Sequence, residues 1–159
     1  MSGAVSGSEL INIAIDIEKR GISFYDVMAK STDDESTRQV FQGLVAMERE
    51  HIHVFRGMLD SFNDFELSDS VEEDRSDYLR ALVDSAVFTT DLISSEMAAQ
   101  ADTDIKALEL AIDAEKDSIL FYYELRDIMP HNVAQLLSRI IAEEKSHLRQ
   151  LSEIKSGLS

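Results

Sequence analysis

The sequence contains no cysteine and no tryptophan, and only one proline and six glycines among 159 residues. Without cysteine the chain forms no disulfide, offers no thiolate nucleophile and cannot ligate an iron–sulfur cluster or a cysteine-bound zinc ion. Any metal must therefore be held by oxygen and imidazole ligands. The scarcity of proline and glycine leaves few turns for a many-stranded sheet, which favours long helices.

An excess of basic residues is also missing, because 15 Lys and Arg face 31 Asp and Glu, giving a net charge of −16. Nucleic acids and anionic membranes bind basic patches, so neither is expected as a partner. Residues 1–8 lack the basic and apolar segments of a secretory signal, and no apolar run is long enough to span a membrane. With 44% apolar residues, the chain is expected to form a single soluble, cytoplasmic domain over residues 1–159.

Four long segments carry apolar residues spaced three and four apart, which predicts helices with one buried face. They span about residues 8–30, 33–62, 103–129 and 131–155. The segment Thr32-Asp33-Asp34-Glu35 has the form of a capping box that opens the second helix. Pro130 must end the third helix, because its ring opposes helical geometry at the preceding residue. The two short connections predict antiparallel helical hairpins.

A long crossover, about residues 63–102, joins the hairpin of residues 8–62 to that of residues 103–155. The spacing of Leu79, Leu82 and Ala86 predicts a helix within it, whereas the polar, acidic start, residues 67–76, predicts a loop. The predicted fold is therefore an all-α four-helix bundle made of two antiparallel hairpins and a partly helical crossover.

The two hairpins resemble each other in sequence. The segment Ala14-Ile15-Asp16-x-Glu18-Lys19-x-x-Ile22-x-Phe24-Tyr25 returns, with eight identities at one offset, from Ala111 to Tyr122. Ala46-x-Glu48-x-x-His51 returns as Ala142-x-Glu144-x-x-His147, one residue out of that offset. These repetitions predict a duplicated helical hairpin.

Six polar residues interrupt the apolar stripes of the four helices, where a bundle core favours leucine or isoleucine. They are Glu18, Glu48, His51, Glu115, Glu144 and His147. In each hairpin the two glutamates lie equally far from the turn, so all six side chains are predicted to meet at one height.

Four buried carboxylates would cost several kcal/mol each and would repel one another. Protonation could relieve part of this cost, as could two divalent cations, whose charge balances four glutamates beside two neutral imidazoles. Oxygen and imidazole ligands suit iron or manganese better than zinc alone or calcium. Each Glu-x-x-His can hold one ion while its carboxylate bridges to the other.

Other polar residues have simpler interpretations. Glu50 and His53 also have the Glu-x-x-His spacing, but helical phase places them on the solvent side. We interpret them, His131 and Glu143 as surface groups. Two interpretations of Tyr25 and Tyr122 remain open, core packing with a satisfied hydroxyl or a hydrogen bond to a carboxylate of the other hairpin.

One glutamate on helices one and three, with Glu-x-x-His on helices two and four, resembles the ferritin-like di-iron proteins. Within that superfamily the chain is similar to the rubrerythrin family in three segments: Glu18-Lys19 leading to Phe24-Tyr25, Met47-Glu48-x-x-His51 and Glu143-Glu144-x-x-His147. The resemblance implies a ferritin-like domain with two iron ions, manganese or zinc being the alternatives, often in a homodimer. Such proteins commonly reduce hydrogen peroxide, and some relatives oxidise or store iron.

The chain departs from its relatives in three places. Full-length rubrerythrins carry a rubredoxin domain with four iron-binding cysteines, so here electrons are expected from Fe(II) or a separate donor protein. Typical rubrerythrins have a further glutamate three residues after the third-helix ligand, where this chain has Ser118 and an out-of-phase Asp117. Bacterioferritins bind haem through a methionine at the position of Arg49, so no haem is expected.

Three functions follow from these patterns. The first is an oxidoreductase whose di-iron centre reduces peroxide or dioxygen. The second is an iron-binding protein that stores or delivers iron with little turnover. The third is a bundle that binds zinc or manganese and performs no redox chemistry.

Overall fold

The computed structural model describes residues 6–61, 73–84 and 104–158 of the chain. These residues form five helices, α1 (Gly7–Ser31), α2 (Glu35–Ser61), α3 (Glu73–Asp84), α4 (Asp104–Ile128) and α5 (His131–Leu158), and the described part contains no strand. The all-α prediction is confirmed, and α1, α2, α4 and α5 correspond to the four predicted helices. Within the described ranges, no helix combines the length and apolar character that crossing a bilayer requires.

The caps of α1 and α2 show which polar residues open each helix. Ser6 and Glu9 form a capping box at α1, each side chain accepting a hydrogen bond from the other residue's backbone N–H. The predicted capping box beginning at Thr32 is wrong, because Asp34 caps α2 and accepts the Thr37 backbone N–H at 2.8 Å. An aspartate directly before the first turn reaches that donor and favours the positive end of the helix dipole.

Thr32 instead ties the first turn to the second hairpin. Its buried hydroxyl donates to the Asp104 carboxylate at 2.8 Å, at the start of α4. Arg38 reaches back from α2 and donates to the carbonyl oxygens of Ala29 and Thr32, satisfying acceptors that the end of α1 leaves open. Pro130 separates α4 from α5 as predicted.

The two antiparallel hairpins, α1 with α2 and α4 with α5, pack into a bundle with two apolar layers. One layer, near the α4–α5 turn, includes Leu10, Ile11, Phe55, Leu125, Leu137 and Ile140. The other, near the α1–α2 turn, includes Phe24, Met28, Phe41, Leu44, Leu108 and Leu151. The six predicted polar residues occupy the middle of the four helices, between these layers.

The crossover contains a helix, as predicted, but the helix begins earlier than expected. Residues 73–76 belong to α3, so the prediction of a loop through residue 76 is wrong there. Leu79 is buried and α3 packs against α4. Ala86 and residues 67–72 lie outside the described residues.

Candidate metal centre

Six polar side chains meet in the middle of the bundle, each between 1% and 3% exposed. They are the six predicted from the apolar stripes: Glu18, Glu48, His51, Glu115, Glu144 and His147. They converge because each occupies a core position of its helix, at the level where the helices of both hairpins face one another.

The ligand atoms form two overlapping groups. One group contains Glu18, Glu48, His51 and Glu144, and the other contains Glu48, Glu115, Glu144 and His147. Within each group one ligand atom per residue lies within 4.8 Å of all the others. The clustering therefore supplies two neighbouring positions, each with one histidine, one glutamate of its own and two shared glutamates.

Glu48 and Glu144 each extend one oxygen toward each histidine. The Glu48 oxygens lie 3.2 Å from the Nδ1 of His51 and 3.7 Å from the Nδ1 of His147. The corresponding distances for Glu144 are 3.1 Å and 3.3 Å. The two rings are 5.9 Å apart between centroids. Both carboxylates are thus oriented to bridge two cations.

Two tyrosines connect the hairpins through the remaining glutamates. Tyr25 of α1 donates to the Oε1 of Glu115 on α4 at 2.6 Å, and Tyr122 of α4 donates to the Oε1 of Glu18 on α1 at 2.5 Å. Both rings are fully buried. The predicted hydrogen bonds to carboxylates of the opposite hairpin are therefore present, and the rings also pack in the core.

The glutamates divide into two electrostatic classes. Burial raises the pKa of Glu48 and Glu144 well above the usual carboxylic value, and repulsion from the other glutamates raises it further. Burial also opposes ionisation of Glu18 and Glu115, but hydrogen bonds outweigh it and lower the pKa of both. Without metal, the two shared glutamates are therefore protonated more readily than the two outer ones.

The histidines respond in the opposite sense. Burial lowers the pKa of His147, but hydrogen bonds to Glu115, Glu144 and Glu48 outweigh it and raise the pKa to about 12. The same balance raises the pKa of His51 far above its usual value. Without metal, both imidazoles therefore favour the protonated, imidazolium form.

Protons alone leave part of this cluster unsatisfied. Glu18 Oε2, Glu115 Oε2 and Glu144 Oε1 are buried without a hydrogen-bond donor. His51 Nδ1 approaches Glu144 Oε1, but it also faces Glu48 and Glu18, and one imidazole proton cannot serve three carboxylates. Buried, unpartnered carboxylate oxygens beside two imidazole nitrogens fit a pair of cations.

Glu143 has a role that the sequence interpretation missed. Its carboxylate lies 2.8 Å from the Nε2 of His51, on the outer side of the ring, and its side chain is 30% exposed. The interpretation as a surface neighbour of Glu144 is therefore wrong. The helical phase of α5 places Glu143 at the edge of the buried face. Whether its side chain contacts α2 depends on how the two helices pack. The signal available in the sequence was the pair of adjacent glutamates, Glu143 and Glu144, before His147.

The other surface assignments agree with the structure. Glu50, His53 and His131 are exposed. Glu50 and His53 therefore face solvent, although their spacing is the same as that of the buried pair Glu48 and His51.

Comparison with known proteins places this geometry in a family. The sequence model of the Rubrerythrin family matches residues 9–155. The chain belongs to the rubrerythrin family. The chain is also similar to a protein from Thermotoga maritima that is described as a ferritin-like diiron-carboxylate protein. The crystal structure of that protein was solved at 2.30 Å resolution. The TM-score is 0.74 and the identity 29%, over 100% of both chains. No curated protein matches the rubrerythrin-family chain.

Proposed function

We propose that this chain is a di-iron oxidoreductase that reduces peroxide or dioxygen while Fe(II) is oxidised. The observation that carries the proposal is the sharing of Glu48 and Glu144 between two histidine-containing ligand groups. Four ionised glutamates and two neutral imidazoles balance the charge of two dications in a buried site. Oxygen and nitrogen ligands without thiolate favour iron or manganese.

Two bound iron ions would together supply two electrons, which with two protons reduce hydrogen peroxide to water or dioxygen to hydrogen peroxide. The chain's own residues hold the site in place for that reaction. Tyr25 and Tyr122 each fix one oxygen of an outer glutamate and leave the other unpartnered. Burial raises the pKa of both phenols, and the neighbouring carboxylates raise it further, so the tyrosines remain hydrogen-bond donors at neutral pH.

Ser118 favours iron oxidation over rapid peroxide turnover. Its hydroxyl donates to the Ala114 carbonyl of its own helix at 3.1 Å, so it offers the cluster no carboxylate. It lines a cavity of about 20 Å³, with Ile17 on α1 and Val83 on α3 among the other lining residues. Without a further carboxylate to stabilise two ferric ions, slow turnover is expected, which supports iron storage or delivery as the second candidate function.

The electrons would come from Fe(II) itself or from a separate donor protein, as the resemblance to rubrerythrins implies. Peroxide or dioxygen would be the oxidant. We also propose a homodimer in the cytoplasm, as the resemblance to rubrerythrins and the composition predict.

Anaerobic loading with Fe(II), followed by elemental analysis and absorbance spectra after adding peroxide, tests this function. We expect two iron ions per chain and a new ferric absorption band. Glu48→Ala should lose both ions, because its carboxylate faces both positions, whereas the matched control Glu50→Ala should keep them. One ion per chain, or full occupancy of Glu48→Ala, would refute the two-ion centre.

A second variant separates the two candidate functions. Ser118→Glu should raise reductant-coupled peroxide turnover if the missing carboxylate limits the rate. Rapid turnover by the wild type, unchanged or lowered in Ser118→Glu, would show that this carboxylate is dispensable. Iron uptake without any turnover in either protein would favour storage or delivery.

A further inference from the structure

The two histidines of the cluster have different surroundings, although the hairpins that carry them are repeated. His51 contacts Glu48 and Glu144 through Nδ1, and its Nε2 is held by Glu143 at 2.8 Å. His147 contacts the same two glutamates through Nδ1. Among the described residues, the structure gives the Nε2 of His147 no hydrogen-bond partner, so only His51 is held from both sides.

The sequence repeat explains this difference. Glu143 precedes Glu144 on α5, and the matching residue before Glu48 on α2 is Met47. A thioether accepts hydrogen bonds only weakly and carries no charge, so it cannot replace a carboxylate beside an imidazole N–H. One substitution between the two copies therefore removes the outer support from His147.

A cavity lies where that support is missing. It has a volume of about 360 Å³ and is lined by His147 together with Gly43, Met47, Glu143, Ser146 and Gln150. The His147 side chain is 4% exposed, so a buried polar group borders the cavity. The lining is partly polar, and the volume exceeds that of a divalent cation with its first water shell.

We propose that the two metal positions are inequivalent: the ion beside His51 is held firmly by the Glu143–His51 pair, and the ion beside His147 exchanges through this cavity. The inference rests on the proposed two-ion centre and adds that metal enters and leaves on the His147 side. A carboxylate on the outer nitrogen orients the ring and makes it a stronger ligand, and losing such a partner typically costs 10–100-fold in metal affinity. Glu143 is thus a positioning residue that acts through His51.

Release of zinc tests the inference without redox chemistry. Protein loaded with two Zn²⁺ is mixed with excess chromogenic chelator, and release is followed by absorbance. The wild type should lose one ion per chain in a fast phase and one in a slow phase. Glu143→Ala should accelerate the slow phase about 10-fold or more. Glu143→Gln should have a smaller effect, because the amide can still hydrogen-bond the ring, and Glu153→Ala, an exposed change on the same helix, should have none.

Two variants act on the other position. Met47→Glu should slow the fast phase, because it supplies the missing partner to His147. Gly43→Phe should also slow it by narrowing the cavity, and the Cβ that it adds has nothing within 4 Å. Both variants should leave the slow phase unchanged, and circular dichroism checks that each is folded.

A single release phase for both ions in the wild type would overturn the inference. So would equal acceleration of both phases by Glu143→Ala, because a wider cavity or a looser bundle would act without the support that Glu143 gives to His51, whose loss acts on the slow phase. Acceleration of the fast phase alone would show that Glu143 acts on the ion beside His147, and it would also overturn the inference. Failure of the wild type to bind two zinc ions would instead refute the two-ion centre, and with it this inference.

Discussion

Metal binding to this cluster should release protons, and the structure sets how many. Without metal, both imidazoles are expected to carry an extra proton, because neighbouring glutamates raise the pKa of His147 to about 12 and raise that of His51 far above its usual value. Glu48 and Glu144, with pKa values raised well above the usual range, can hold two more. All four residues must lose these protons to act as ligands. Binding of two dications at pH 7 is therefore expected to release more than two and up to four protons per chain.

The proton count determines how binding depends on pH. Each released proton contributes about 1.4 kcal/mol per pH unit to the binding free energy, so four would contribute about 5.5 kcal/mol per unit for the pair of ions. Zinc binding in a weakly buffered solution with a pH indicator measures the release directly. Calorimetry in buffers of different ionisation enthalpy measures it independently.

Two variants provide the controls. Glu48→Gln should release few protons when zinc is added, because loss of a carboxylate shared by both ligand groups is expected to abolish binding, whereas exposed Glu50→Gln should leave the release unchanged. Release of fewer than two protons by the wild type would show that the imidazoles are already neutral without metal. That result would refute the charge distribution described for the cluster.

Three further outcomes are expected. Chelation should lower the melting temperature, and each ion present at 100 times its Kd should add about 2.7 kcal/mol to the free energy of unfolding. At a fixed metal concentration, the difference in unfolding free energy between the metal-bound and metal-free protein should widen from pH 6 to 8. The raised histidine pKa values make the metal-free fold bind more protons than the unfolded chain, so the stability of the metal-free protein falls as pH rises; a pH-independent difference would contradict this. Tyr122→Phe should lower the free energy of unfolding, measured with urea, by about 1.5–3 kcal/mol, because the hydrogen bond to ionised Glu18 is lost. An unchanged unfolding free energy would contradict that role. Gly57→Ala should raise the free energy of unfolding, measured by thermal unfolding, by up to about 1 kcal/mol. Alanine favours the helix more than glycine does, and the added Cβ has no atom within 4 Å; destabilisation would show a contact there.

The sequence predicted the helices and the cluster because both depend on one periodicity. A polar residue at a core position of a long amphipathic helix has no solvent to face, and the repeat placed two such sets at matching heights. The caps were harder to predict. Thr32 and Asp34 are both capping residues, and only the backbone path of the turn decides which one meets the free N–H groups of α2.

Glu143 could not be placed from the phase of α5 alone. Helical phase describes what faces the core, but a long side chain at the edge of that face can cross to a neighbouring helix. The difference between Glu143 and Met47 in the two copies marks the position as unusual, and the contact with His51 then requires the packing of α5 against α2. Contacts at the edges of a bundle depend on this packing, so a single sequence predicts them poorly.

Protonation of the metal-free cluster bears on whether the bundle can fold without its ions. If the four carboxylates were all ionised without metal, the bundle could form only with its ions in place. Protons on Glu48, Glu144 and both histidines relieve this repulsion, so the chain can fold before it binds metal. The same protons compete with metal, and acidification should therefore release ions from a folded protein. Melting curves and metal analysis of the same sample at pH 5 and pH 7 test this, and loss of metal together with unfolding would contradict it.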